Sequence, residues 1–138
     1  MSASELDEYR PSADEPFMNE RQKEYFRRKL VAWKQDIIRE SQGTLNNLQE
    51  ADNQLPDVSD RASSETEKAL ELRTRDRQRK LTSKIDAALR RIETGDYGYC
   101  EETGEPISLR RLDARPVATL SLEAQERHER NEKAHRED

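Results

Sequence analysis

Phe26, Leu30, Trp33 and Ile37 follow one another at intervals of four, three and four residues, and Leu81, Ile85, Ala88 and Ile92 repeat the spacing later in the chain. A stripe this narrow is the seam of a coiled coil rather than the alternating face of a strand. The composition leaves little room for another solution. Charged residues make up 40% of the 138 and hydrophobic ones 31%. Such a chain cannot bury a large globular core, so it is either disordered or built of long helices with a thin apolar seam. The periodicity favours helices.

Element boundaries follow from local chemistry. Asn19 stands where a helix cap is expected, with Gln22 three positions on in capping-box spacing. The first seam continues through Leu45 and Leu48 after a shift at Ser41, then stops at the polar run ADNQLPDVSDRA. Helix periodicity resumes near Ser63, Asp60 is a candidate cap for this second helix, and Thr94-Gly95-Asp96 ends it. Ser121 is placed to cap a last, highly charged helix. The expected fold class is mainly α, in four parts. A mobile N-terminal arm covers residues 1–18. A long antiparallel coiled-coil hairpin covers 19–94, with its tip at 52–62. A small globular, zinc-finger-like knuckle without metal covers 95–120, and a C-terminal helix covers 121–138. Arg73 to Lys80 has almost no apolar seam and is expected to pack weakly.

The knuckle has the frame of a four-cysteine zinc site with one cysteine in it. In a C-x2-C…x17…C-x2-C spacing the first ligand is Cys100, and the other positions fall on Thr103, Ser121 and Ala124. Structural zinc takes four thiolate or imidazole ligands, which threonine, serine and alanine cannot replace. Tyr97, Tyr99, Ile107, Leu109, Leu112, Val117, Leu120 and Leu122 are available to hold the knuckle by packing instead. Cys100 is then either a small buried apolar residue or a redox-sensing thiol. A lone cysteine excludes an intramolecular disulfide framework.

The net charge of -5 argues against DNA binding by the chain as a whole. The sum hides a segregation: residues 40–60 carry five acids and no base, whereas residues 73–91 carry eight bases and two acids. Arg77, Lys80 and Lys84 recur at three and four, so they line one helix face. That face is either simply solvated or suited to a phosphate-rich ligand or an acidic protein surface. At the turn, Asp57 and Asp60 fit ordinary turn chemistry. Two carboxylates at the end of a helical hairpin are also placed to approach a metal or a basic loop in a partner. No membrane-spanning run and no signal peptide are visible, so a cytoplasmic protein is expected.

Four segments, EPFMNERQKEYFRRKLVAWK, PDVSDRA, ELRTRDRQRKLTSKID and DYGYCEETGEPISLRRLDARP, together resemble the DksA/TraR family of bacterial transcription regulators, from about Phe17 to Lys133. The resemblance implies a non-enzymatic, monomeric factor that binds bacterial RNA polymerase without touching DNA. It would insert its coiled coil through the secondary channel and destabilise promoter complexes together with guanosine tetraphosphate, the alarmone of the stringent response. By position, Asp57, Asp60 and Ala62 match the family's tip residues, and Arg77, Lys80, Lys84 and Arg115 match its alarmone and polymerase contacts. Two departures stand out. Three zinc ligands are absent, which implies a zinc-independent member. Gln125 occupies a position where the family often has a basic alarmone contact, which bears on alarmone affinity. Two other readings belong to different classes: a Gre-like factor whose tip carboxylates hold magnesium for transcript cleavage, and a purely structural coiled coil.

Overall fold

The computed structural model describes residues 8–52 and 58–137, with backbone alone at 44, 45, 47–52, 58–62, 136 and 137. Among the described residues four helices are set out in order: α1 (Glu20–Asp52), α2 (Val58–Thr94), α3 (Leu109–Ala114) and α4 (Leu122–Glu137). The described residues form no strand, only an isolated antiparallel bridge between Tyr99 and Pro106. None of their helices is long and apolar enough to cross a membrane. The fold is mainly α, as the periodicity requires.

The chain divides into two compact units, Met1–Leu30 with Ala87–Asp138, and Val31–Asp86. This differs from the expected boundary at residue 94. The first turns of α1 and the last turns of α2 belong with the knuckle, because their seam residues are its core. Phe26, Leu30, Ala88, Tyr97, Ile107, Leu112 and Ala124 are all buried there at 0–1% exposure, and the Phe26 and Tyr97 rings stand 5.6 Å apart. Tyr99 and Leu122, expected in this core, are exposed instead.

Capping sets where α1 begins. The Asn19 side chain accepts the Gln22 N–H at 2.8 Å, as an N-cap should. Gln22 does not close the capping box on Asn19. It is fully buried, accepts the Met18 N–H at 2.7 Å and donates to the Ser12 carbonyl at 3.3 Å. Residues 8–18 are therefore not the mobile arm expected. Tyr9 is buried, with its ring edge-on to Tyr25 and under the Arg21 guanidinium at 4.2 Å. Its hydroxyl donates to the Glu15 carboxylate at 2.8 Å. The segment is irregular and pinned by single anchors, so it carries no periodic signal. Residues 1–7 of the arm lie outside the described residues.

α2 ends in a Schellman arrangement: the Asp96 N–H reaches the Arg91 carbonyl at 2.9 Å and the Gly95 N–H the Ile92 carbonyl at 3.4 Å. Gly95 holds φ +85, the left-handed conformation this closure needs.

The second unit pairs the remaining lengths of α1 and α2. Lys34 bridges Asp86 at 2.7 Å and the Ser41 hydroxyl donates to Gln78 at 2.8 Å. Partners on α2 descend as those on α1 ascend, so the pair is antiparallel. Ile37 and Ile85 are buried, whereas Leu70 and Leu72 are about half exposed. The seam thins in this direction, in keeping with the polar composition of the basic stretch. α2 starts at Val58, before the expected Ser63, so Asp60 lies within its first turn and is not its cap.

Candidate functional site

The knuckle is built by short backbone links. Cys100 N–H donates to the Glu105 carbonyl, Gly104 N–H to the Cys100 carbonyl and Glu101 N–H to the Thr119 carbonyl, each at 2.8 Å. Ile107 N–H reaches the Gly98 carbonyl at 2.7 Å. These bonds fold residues 98–107 around Cys100, which is 2% exposed. Burial pushes the thiol pKa up, but hydrogen bonds from the Thr103 hydroxyl and from the backbone at Ser121, Thr103 and Glu102 outweigh it, bringing it down to about 6. Cys100, Thr103 and Ser121 thus meet in space as the zinc frame predicts.

The donor set does not fit zinc. Thr103 hydrogen-bonds the Cys100 sulfur, Ser121 accepts the Ala124 N–H at 3.2 Å as the cap of α4, and buried Ala124 offers no donor atom. His128, on α4, is paired with Glu102. Among the described residues no group of three or more His, Cys, Asp or Glu side chains is gathered to hold a metal ion. Amide and hydroxyl hydrogens surround the sulfur where three further ligands would be required.

The basic residues fall on both units. On the second, Arg77, Lys80 and Lys84 are all exposed on α2. Arg77 reaches the Thr74 hydroxyl at 3.5 Å and Lys80 pairs with Asp76 at 3.2 Å. Asp76 also takes Arg79 at 2.7 Å. Hydrogen bonds from Arg79 and then Lys80 hold its carboxyl below the usual range. The face is cationic with one carboxylate inside it. Arg115 belongs to the first unit, exposed at the end of α3. Its N–H donates to the Arg111 carbonyl at 2.7 Å and its carbonyl accepts the Ala118 N–H at 3.0 Å, so its backbone is fixed while its side chain faces solvent. Gln125 is half-buried and donates to Glu129 at 3.2 Å.

Of the tip residues, Asp57 lies outside the described residues, and Asp60 and Ala62 are described by backbone alone, on the opening turns of α2.

One cluster was not legible in the sequence. Asp113 of α3 accepts the Tyr25 hydroxyl at 2.5 Å and the Lys29 ammonium at 2.7 Å, both from α1. Separations of 88 and 84 residues leave no local pattern to find.

Two family models match in succession: "DnaK suppressor protein DksA, N-terminal domain" over residues 22–92 and "Prokaryotic dksA/traR C4-type zinc finger" over residues 95–130. The chain is 68% identical over 134 residues to the RNA polymerase-binding transcription factor DksA of Caulobacter vibrioides, covering 97% of this chain and 94% of the relative. It is 42% identical over 128 residues to the protein of the same name from Escherichia coli, covering 93% and 85%. Among solved structures, transcription factor DksA2 from Pseudomonas aeruginosa superposes with a TM-score of 0.82 at 41% identity, covering 94% of this chain and 97% of that one. Similarity of this extent, over both the helical part and the knuckle, shows that the chain belongs to the DksA/TraR family.

Proposed function

We propose that the protein is a cytoplasmic, monomeric, non-enzymatic regulator that binds RNA polymerase and alters the stability of promoter complexes. The coiled coil enters the secondary channel and presents Asp57, Asp60 and Ala62 at its tip. Arg77, Lys80, Lys84 and Arg115 hold guanosine tetraphosphate against the polymerase, and the knuckle works without zinc. Polymerase binding is supported by the 68% identity, over 97% of the chain, to a protein named for it. The observation that carries the alarmone part is the exposed cationic face at Arg77, Lys80 and Lys84. Its three-and-four spacing turns several charges toward one ligand, and pyrophosphate groups are bound by such clustered donors. Zinc independence is supported by the donor set around Cys100, one thiolate among hydroxyl, amide and methyl groups.

The test is transcription in vitro from a ribosomal RNA promoter, with and without guanosine tetraphosphate and with and without a chelator. Inhibition that deepens with the alarmone and survives chelation is expected. Asp60→Asn is expected to abolish inhibition while leaving polymerase binding intact. No inhibition by wild type, full inhibition by Asp60→Asn, or loss of activity on chelation would each overturn the corresponding part.

A further inference from the structure

α3 is six residues long, too short to be stable by its own hydrogen bonds. Yet it leads directly into Arg115, so something outside it must fix its rotation. Two donors from adjacent turns of α1, the Tyr25 hydroxyl and the Lys29 ammonium, converge on Asp113 Oδ1. Burial, followed by the bond to Asp113, pushes the Tyr25 hydroxyl up to about 12, so it remains a donor at neutral pH. Lys29 and then Tyr25 hold the Asp113 carboxyl below its ordinary range, so it remains an acceptor. On the other side of Arg115, the buried Tyr97 hydroxyl donates to the Pro116 carbonyl at 2.8 Å. Arg115 therefore stands between two anchors, with its own N–H and carbonyl bonded inside the knuckle.

We propose that Asp113 is a positioning residue for Arg115. By receiving Tyr25 and Lys29 on one oxygen it sets the rotation of α3, and with it the point from which the Arg115 guanidinium reaches a phosphate-bearing ligand. The proposal rests on the reading of Arg115 as a phosphate contact. Coulomb's law alone predicts the opposite consequence for Asp113. A carboxylate two residues from a polyanion's contact repels that ligand, so its removal should tighten binding. Positioning predicts weaker binding, and the two accounts differ in sign.

The experiment measures guanosine tetraphosphate binding to the complex of full-length protein and RNA polymerase, alongside polymerase binding without the alarmone and the protein's thermal melt. Asp113→Asn keeps an acceptor for Tyr25 and loses the charge that holds Lys29. Tyr25→Phe changes no charge and keeps its ring beside Phe26. Each is expected to weaken alarmone binding about three- to tenfold, the range of one ordinary intramolecular hydrogen bond, with polymerase binding unchanged. In an Arg115→Ala background, itself weakened, Tyr25→Phe is expected to add nothing, because its effect passes through Arg115. If Asp113→Asn does not fold, Tyr25→Phe carries the test alone. Wild-type or tighter binding by both single variants, or an undiminished effect of Tyr25→Phe without Arg115, overturns the positioning role. Wild-type binding by Arg115→Ala instead overturns the reading beneath it, so the two failures are told apart.

Discussion

Met18 lies directly on Gly98: its terminal methyl is 2.9 Å from where a side-chain carbon on residue 98 would stand, and the edge of the Phe17 ring is 3.1 Å from the same point. Phe17 also meets Tyr99 edge-on at 5.4 Å between ring centres. The segment leading into α1 is thus seated on the opening turn of the knuckle. In a four-cysteine finger the metal ties two turns together. Here Met18 and Phe17 close over Gly98, while the Thr119 carbonyl holds Glu101.

Gly98 is required there twice over, by its φ of +92 and by the side chains above it. Gly98→Ala is expected to cost about 2–5 kcal/mol, combining about 1–2 for the left-handed backbone with about 1–3 for overpacking. Gly104 provides the control, because its φ is +73 but nothing stands within 4 Å of the added carbon. Gly104→Ala should cost only the backbone part, about 1–2 kcal/mol. Urea unfolding of both variants checks this, and equal losses would show that the Met18 contact contributes nothing.

Gln22 ties the same segment down from below. Gln22→Ala leaves the Met18 N–H and the Ser12 carbonyl without their partner, and an unsatisfied buried group costs about 1–3 kcal/mol. The expected loss exceeds that of Asn19→Ala, which removes a cap bond worth about 1 kcal/mol and a longer, part-exposed bond from the Asn19 amide to Glu15 at 3.3 Å. Limited proteolysis gives a second reading. Cleavage within residues 8–18 should accelerate in Gln22→Ala, and an unchanged rate would mean that the segment is held by Tyr9 and its neighbours alone.

The parts of this fold that were legible in the sequence are those governed by local rules. The four-three-four spacing located the seam, Asn19 and Ser121 cap their helices as their chemistry suggests, and Gly95 closes α2. The zinc frame brought Cys100, Thr103 and Ser121 together because the backbone turns that shape a finger persist without its ligands. The remaining features depend on contacts distant in sequence. Tyr9 is buried by Tyr25 and Arg21, in an irregular segment that composition alone marks as an arm. Asp113 reads as one acid among three arginines, Arg110, Arg111 and Arg115, until the fold brings α1 against it. The low pKa of Cys100 was hidden for a related reason: no base adjoins it in sequence, and the stabilising donors are the Thr103 hydroxyl and backbone amides at Ser121, Thr103 and Glu102.

That pKa makes stability depend on pH in a defined direction. The folded thiol titrates near 6 and an unfolded one near ~8.5. Between those values the unfolded chain holds a proton that the folded chain has released, so stability rises with pH across the window. The gain is lost as pH falls through about 6. Urea midpoints of wild type and Cys100→Ala, compared on both sides of the window, isolate this contribution. The wild-type advantage should grow toward the alkaline side, and parallel curves would refute the thiolate. A chelator should shift neither protein.

In the second unit the seam carries a polar pair where an apolar one would pack better. Ser41 donates to Gln78, and Gln78 donates on to Glu40 at 3.2 Å. Both central residues continue the seam, Ser41 four beyond Ile37 and Gln78 seven before Ile85. Replacing both by leucine should raise stability by about 1–3 kcal/mol through added apolar burial. Polar pairs at seam positions fix register at a cost in stability, so the same variant should lose uniqueness of pairing. Urea unfolding with size-exclusion chromatography separates the two effects: a higher midpoint together with new self-associated species is expected. A more stable protein that stays strictly monomeric would show that register is set elsewhere, with the Lys34–Asp86 bridge the next candidate. The outcome bears on the cationic face, because Arg77 and Lys80 flank Gln78, and a slip of α2 along α1 would turn both away from their present direction.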